Sequence, residues 1–107
     1  MKTTSRELPR PFAMPWGTGE IVEEATVVGE WSEPSIQLLR YDDGTESIRF
    51  CQYDHRGRFR RSPMIVDGKL LRALGRSLAQ TKRLKALVTQ LAAPTGTRPR
   101  PSRRSRQ

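Results

Sequence analysis

The sequence predicts an α+β fold, a four-stranded antiparallel meander sheet followed by one bent or two short C-terminal helices. Three observations predict it. Between Glu20 and Val66 apolar and polar residues alternate in short runs divided by turn residues, the period of half-buried strands. From Asp67 the apolar spacing lengthens to about 3.6, the period of an amphipathic helix. The two ends are rich in proline, glycine, serine and arginine, with little to bury against the entropy cost of ordering. The expected organisation is an extended N-terminal arm over 1–19, a single domain over 20–93, and a disordered Arg/Pro/Ser-rich tail over 94–107.

In the arm, Pro9, Pro11 and Pro15 with Gly17 and Gly19 interrupt any regular ladder, leaving Phe12, Met14 and Trp16 to dock. Strand-like segments follow at 20–31, 35–41, 45–53 and 58–66. The breaks are Ser32-Glu33-Pro34, Asp42-Asp43-Gly44 and Asp54-His55-Arg56-Gly57, where Gly admits positive φ, Asp and Ser bond their own backbone, and Pro fixes φ.

Register follows from polarity. A two-residue turn at Asp43-Gly44 mixes polar and apolar side chains on both faces. A three-residue loop, Asp42-Asp43-Gly44 with Gly44 left-handed, pairs Leu38 with Ile48, Ile36 with Phe50 and Arg40 with Glu46, and segregates them. In the next hairpin a turn centred on His55-Arg56 pairs Tyr53 with Arg58, Gln52 with Phe59 and Cys51 with Arg60. The inner face is then Ile36, Leu38, Ile48, Phe50 and Phe59. The outer face carries Tyr41, Arg49, Tyr53, Arg58 and Arg60 beside Gln37, Leu39 and Cys51.

Asp67 is placed to cap the helix beginning near Gly68, with Val66 and Leu71 as a hydrophobic staple. Leu70, Leu71, Leu74 and Leu78 form one stripe. Leu84, Leu87, Val88 and Leu91 form a second, rotated by about 105° at 100° per residue. A break near Ala79-Gln80-Thr81, with Thr81 as a second cap, reconciles them. The second stripe is either further core or an oligomer or partner interface.

Charge and composition narrow the function. The net charge is +9, but residues 1–47 carry −5, residues 48–93 carry +9, and the tail adds five arginines without an acid. Such a distribution points to an anionic partner for the second half, nucleic acid being the commonest. The single Cys51 and single His55 exclude an internal disulfide and multi-cysteine metal cages. They are also the one nucleophile–base pair in view, and mid-strand and turn positions hold them apart. Neither enzyme activity, metal nor cofactor is expected. No apolar run reaches membrane-spanning length and the first twenty residues lack a secretory pattern, so a cytoplasmic protein without membrane contact is expected.

The outer face is the one constellation with a mechanism. Arginine forks bond phosphate oxygens and tyrosine rings stack unpaired bases, so Arg49, Arg58 and Arg60 beside Tyr41 and Tyr53 suit a single strand of DNA or RNA. Arg56 at the hairpin tip and Arg61 extend that surface. Lys69, Arg72, Arg76, Lys82, Arg83 and Lys85 occupy polar helix positions and are read as mainly solvated.

The run Ile48-Arg49-Phe50-Cys51-Gln52-Tyr53, the Asp54–Gly57 hairpin, Arg58, Phe59, Pro63, the apolar Met64-Ile65-Val66 and an amphipathic helix resemble the core of the positive-cofactor-four family of transcriptional coactivators. The resemblance covers residues 36–79. It implies a curved four-stranded sheet, dimerisation through the helices, and single-stranded DNA on the sheet, with Arg49, Tyr53, Arg58 and Arg60 on the binding face. This chain departs from that pattern in its arginine in place of lysine, its second helical stripe and its acidic first strand. The expected function is therefore noncatalytic nucleic-acid binding, transcription-associated if the resemblance carries over. The alternative is a protein interaction module docking on a larger transcription or translation assembly through the C-terminal helix.

Overall fold

The computed structural model describes residues 6–93. One antiparallel sheet runs in the order β1-β2-β3-β4-β5, built from β1 (Arg10–Met14), β2 (Gly17–Thr26), β3 (Glu33–Tyr41), β4 (Glu46–Tyr53) and β5 (Phe59–Arg60). Helices α1 (Gly68–Leu78) and α2 (Lys82–Ala92) follow. The α+β meander with two short helices is as the sequence predicts, with one strand more. The Arg-rich tail expected over 94–107, and residues 1–5 of the arm, lie outside the described residues.

The extra strand comes from the arm. Met14 pairs with Gly17, so Pro15 and Trp16 form a two-residue turn in which proline's fixed φ suits the corner. Pro11 sits in an edge strand, where a missing N–H is tolerated. The prolines thus define a hairpin instead of blocking one. Gly19 pairs with Phe12 on one side and Tyr41 on the other. Its lack of a side chain lets those two rings meet over β2, edge to face at 5.3 Å.

The β3–β4 register is the predicted one: Leu38 opposes Ile48, Ile36 opposes Phe50 and Arg40 opposes Glu46, with Gly44 at φ +91°. The next hairpin is one residue out of the expected register. Gln52 pairs with Arg60 and Tyr53 with Phe59. The reason is that this loop repeats the first. Gly44 N–H bonds Tyr41 O and Tyr41 N–H bonds Thr45 O; likewise Gly57 N–H bonds Asp54 O and Asp54 N–H bonds Arg58 O, with Gly57 at φ +81°. A one-residue slip turns each side chain to the other face. Phe59, expected inside, joins Tyr53 on the far face.

The core lies between the sheet and the helices. Ala25, Val27, Ile36 and Leu38 meet Ala73 and Leu74 of α1 and Leu84 of α2. Asp67 caps α1 as expected, its Oδ1 accepting from Leu70 N–H at 2.8 Å. Leu71, assigned to a staple, is instead exposed. The chain breaks at Ala79–Thr81 as predicted, but Thr81 does not cap α2 with its side chain; its hydroxyl donates to Leu78 O. A bulge in β2, where Ile21 opposes Leu39 and Glu23 opposes Leu38, inserts Val22 and aims Glu23 at the helices. Glu23 Oε1 accepts from Leu84 N–H at 2.8 Å and supplies the missing cap.

Candidate nucleic-acid interface

The sheet curls away from the helices and makes a trough of its other face. In sheet order β1 and β4 are three strands apart, about 14 Å if flat. Yet the Arg49 guanidinium on β4 sits 5.7 Å from the Phe12 ring centroid on β1 and 3.3 Å from Met14 Sδ. The two edges face one another without pairing, and between them runs a groove of about 750 Å³.

A polar network underlies the trough, with Glu24 beneath the residues that line it. Glu24 accepts from Arg10 Nη1 and Nη2, both at 2.9 Å, from Ser35 Oγ at 2.6 Å and from Gln37 Nε2 at 2.8 Å. Tyr53 Oη accepts from Gln37 Nε2 at 2.8 Å and from Arg10 at 3.3 Å, and Gln37 Oε1 accepts from Arg49 Nε at 2.8 Å. Burial pushes the Glu24 carboxyl up, but the hydrogen bonds from Arg10, Ser35 and Gln37 and the Arg10 charge outweigh it, and the group lies below its ordinary value. Burial pushes the Cys51 thiol up to about 11, so at neutral pH it is protonated.

Above this network the groove wall is aromatic and cationic. Arg49 lies 4.8 Å over the Phe59 ring, Phe59 meets Tyr53 edge to face at 5.7 Å, and Phe50, Trp16, Arg60 and Arg61 complete the rim. Phe59 is 45% exposed and Trp16 is 71% exposed. Among the described residues no carboxylate lines the groove.

Of the residues the sequence singles out, Arg49, Tyr53, Arg60 and Arg61 reach the groove. Tyr53 is a wall and not a stacking platform: it is 7% exposed, with the Arg6 guanidinium 4.2 Å above its ring. Tyr41 is held outside, packed on Phe12 with Ser47 Oγ 3.2 Å from its hydroxyl. Arg58 points to Asp54, 3.1 Å away, and Arg56 is exposed at the hairpin tip. The expected arginine and tyrosine face is therefore replaced by an arginine and phenylalanine groove, because the register slip and the extra strand exchange its members. Phe59 is the residue that polarity alone misplaces, and Gly57, standing in its loop where Gly44 stands in the other, is the signal that locates it.

Four carboxylates of the acidic first half are engaged internally. Glu24 takes Arg10, Glu33 takes Arg6 at 2.7 Å, Glu23 caps α2, and Glu46 holds Arg83 and, at 3.4 Å, Arg40. These carboxylates neutralise other residues, Arg10 at the groove included, and among the described residues none of them pairs with Arg49, Arg60 or Arg61.

The second helical stripe resolves toward core. Leu84 is fully buried, and Leu87 and Val88 pack against the same cluster, while Leu91 is 70% exposed. Leu84 is thus spent on the core and Leu87 and Val88 are partly covered by it, because α2 folds back on β2 through the Glu23 cap. Leu84→Ala is expected to cost about 2–5 kcal/mol, and Leu91→Ala less than about 0.5 kcal/mol. Thermal melts followed by circular dichroism check both; equal stability combined with failed assembly would return the stripe to a partner.

No helix among the described residues is long and apolar enough to cross a membrane, and no cluster of three metal-ligating side chains occurs among them. Set against protein-family models, curated proteins and solved structures, the chain gives no match in any of the three.

Proposed function

We propose that the chain is a noncatalytic cytoplasmic protein that binds single-stranded DNA or RNA in the groove between β1 and the β4–β5 edge. The observation that carries the reading is the lining itself: Arg49, Arg60 and Arg61 interleaved with Trp16, Phe50 and Phe59, and no carboxylate among the described residues. Guanidiniums neutralise phosphates, and exposed rings stack bases whose faces a duplex would hide. The resemblance to the positive-cofactor-four family supports the same partner and suggests transcription as the setting.

Fluorescence anisotropy with a labelled single-stranded oligonucleotide tests it. The three changes Phe59→Ala, Arg60→Ala and Arg61→Ala fall on exposed positions and remove no hydrogen bond of the polar network. Stacking is worth about 1–3 kcal/mol per base, so the combined variant is expected to bind at least about tenfold more weakly. Each phosphate neutralised on a single strand contributes about 0.7 to the salt slope, so removing two arginines should flatten the log–log slope by about 1.4. Unchanged affinity and slope would remove the groove as the binding site.

A further inference from the structure

Both helices lie on one side of the sheet, since Leu74 of α1 and Leu84 of α2 share a core cluster with Ile36 and Leu38. Apart from Ser77, which accepts from Thr26 N–H, and Arg83, which reaches Glu46, the polar positions of both face away from the sheet, on the side opposite the groove. Five exposed cations stand there: Lys69, Arg72, Arg76, Lys82 and Lys85. Residues 68–93 contain neither an Asp or Glu nor an aromatic residue. Among the described residues none of these five makes an ion pair, whereas Arg6, Arg10, Arg40, Arg58 and Arg83 each do. The carboxylates nearest the layer are engaged or peripheral. Glu23 caps α2, Glu46 holds Arg83, and only Glu30 and Asp67 flank Lys69 at the start of α1.

We infer that the outer face of the helical layer is a second nucleic-acid contact, for the phosphate backbone of a duplex, so that one molecule joins a paired segment on its helices to an unpaired strand in its groove. The helices themselves carry no aromatic side chain, and an exposed ring beside them, Trp31, stands at the Lys69 end of α1; along Arg72, Arg76, Lys82 and Lys85 unpaired bases find no ring to stack on, while a duplex offers its phosphates to a surface of charge. The dimensions agree. Lys69, Arg72 and Arg76 recur at i, i+3 and i+7 and span about 10 Å of helix, and a duplex of that length carries about six phosphates. The bridging rests on the proposed groove function; the duplex contact does not.

Arg72→Ala, Arg76→Ala and Lys82→Ala combined in the full chain test it, with the charge reversals Arg72→Glu and Arg76→Glu as a second variant and circular dichroism to confirm the fold. The five arginines of residues 94–107 are common to all the proteins and cancel in the comparison. Anisotropy with a labelled duplex of mixed sequence is expected to weaken at least tenfold. The salt slope should fall by about 2.7, at about 0.9 for each phosphate no longer neutralised. Affinity for a single-stranded oligonucleotide should stay within twofold. Wild type on beads carrying a single strand should retain the duplex, and the helix variant should not. Unchanged duplex binding overturns the inference, and so does equal weakening toward duplex and single strand, which would mean one shared surface. If the groove variant binds single strands normally while the helix variant fails on the duplex, the groove reading fails and the helical contact stands.

Discussion

Gly19→Ala is expected to cost about 3–5 kcal/mol, at the upper end of what a single substitution does. A methyl group built on Gly19 falls 2.1 Å from Arg40 O and 2.7 Å from Tyr41 Cα. Both are backbone atoms, and no side chain can swing aside to make room. The strands must part at the point where β2 pairs with β1 and β3 and where Phe12 meets Tyr41. Gly17→Ala is the control: its methyl meets only the Tyr41 ring, at 3.1 Å, which can turn. At about 4–8 °C per kcal/mol for a domain of this size, the Gly19 variant should melt at least about 12 °C below wild type. A destabilisation under about 1 kcal/mol would mean that β2 and β3 do not approach as described.

Glu24→Gln is expected to cost about 2–3 kcal/mol at neutral pH, because it leaves the largely covered Arg10 guanidinium facing an amide. The pH dependence gives the sharper test. The carboxyl of Glu24 lies below its ordinary value of 4.5 in the fold, so the unfolded chain takes up a proton first as the pH falls. Its stabilising contribution is complete above the unfolded value and disappears as the pH drops through the lower folded value. Asp43, Glu46 and Asp54 are shifted the same way, but they are present in both proteins and cancel in the difference. Urea unfolding of wild type and variant should therefore differ at pH 7 and converge toward pH 3. A difference that does not change with pH would detach it from the charge of Glu24.

The parts of this fold that can be read in the sequence are those where two independent signals coincide. In the Leu38–Ile48 hairpin the glycine turn and the segregation of polarity choose one register, and the structure has it. In the next hairpin only Tyr53 and Gln52 have partners, so polarity discriminates poorly and the turn decides. The first strand is hard to see because prolines usually break ladders, although Pro15 at a corner and Pro11 on an edge fit this one. The site inherits both ambiguities: Arg49 and Arg60 belong to it, while Phe12, Trp16 and Phe59 enter through the extra strand and the slipped register. Charge announces a split chain, but which carboxylate meets which guanidinium is a tertiary fact. Glu24 and Arg10 are fourteen residues apart, and Glu46 and Arg83 thirty-seven.

The Glu23 contact ties the end of the described chain to its beginning. Its partner, the Leu84 amide, stands 61 positions later in the chain. An eleven-residue helix is marginal in water by itself, and α2 has no side-chain cap of its own. The cap that α2 needs exists only where the β2 bulge presents Glu23, so the winding of α2 is coupled to the assembly of the strands beneath it and the helix serves as a latch on the sheet.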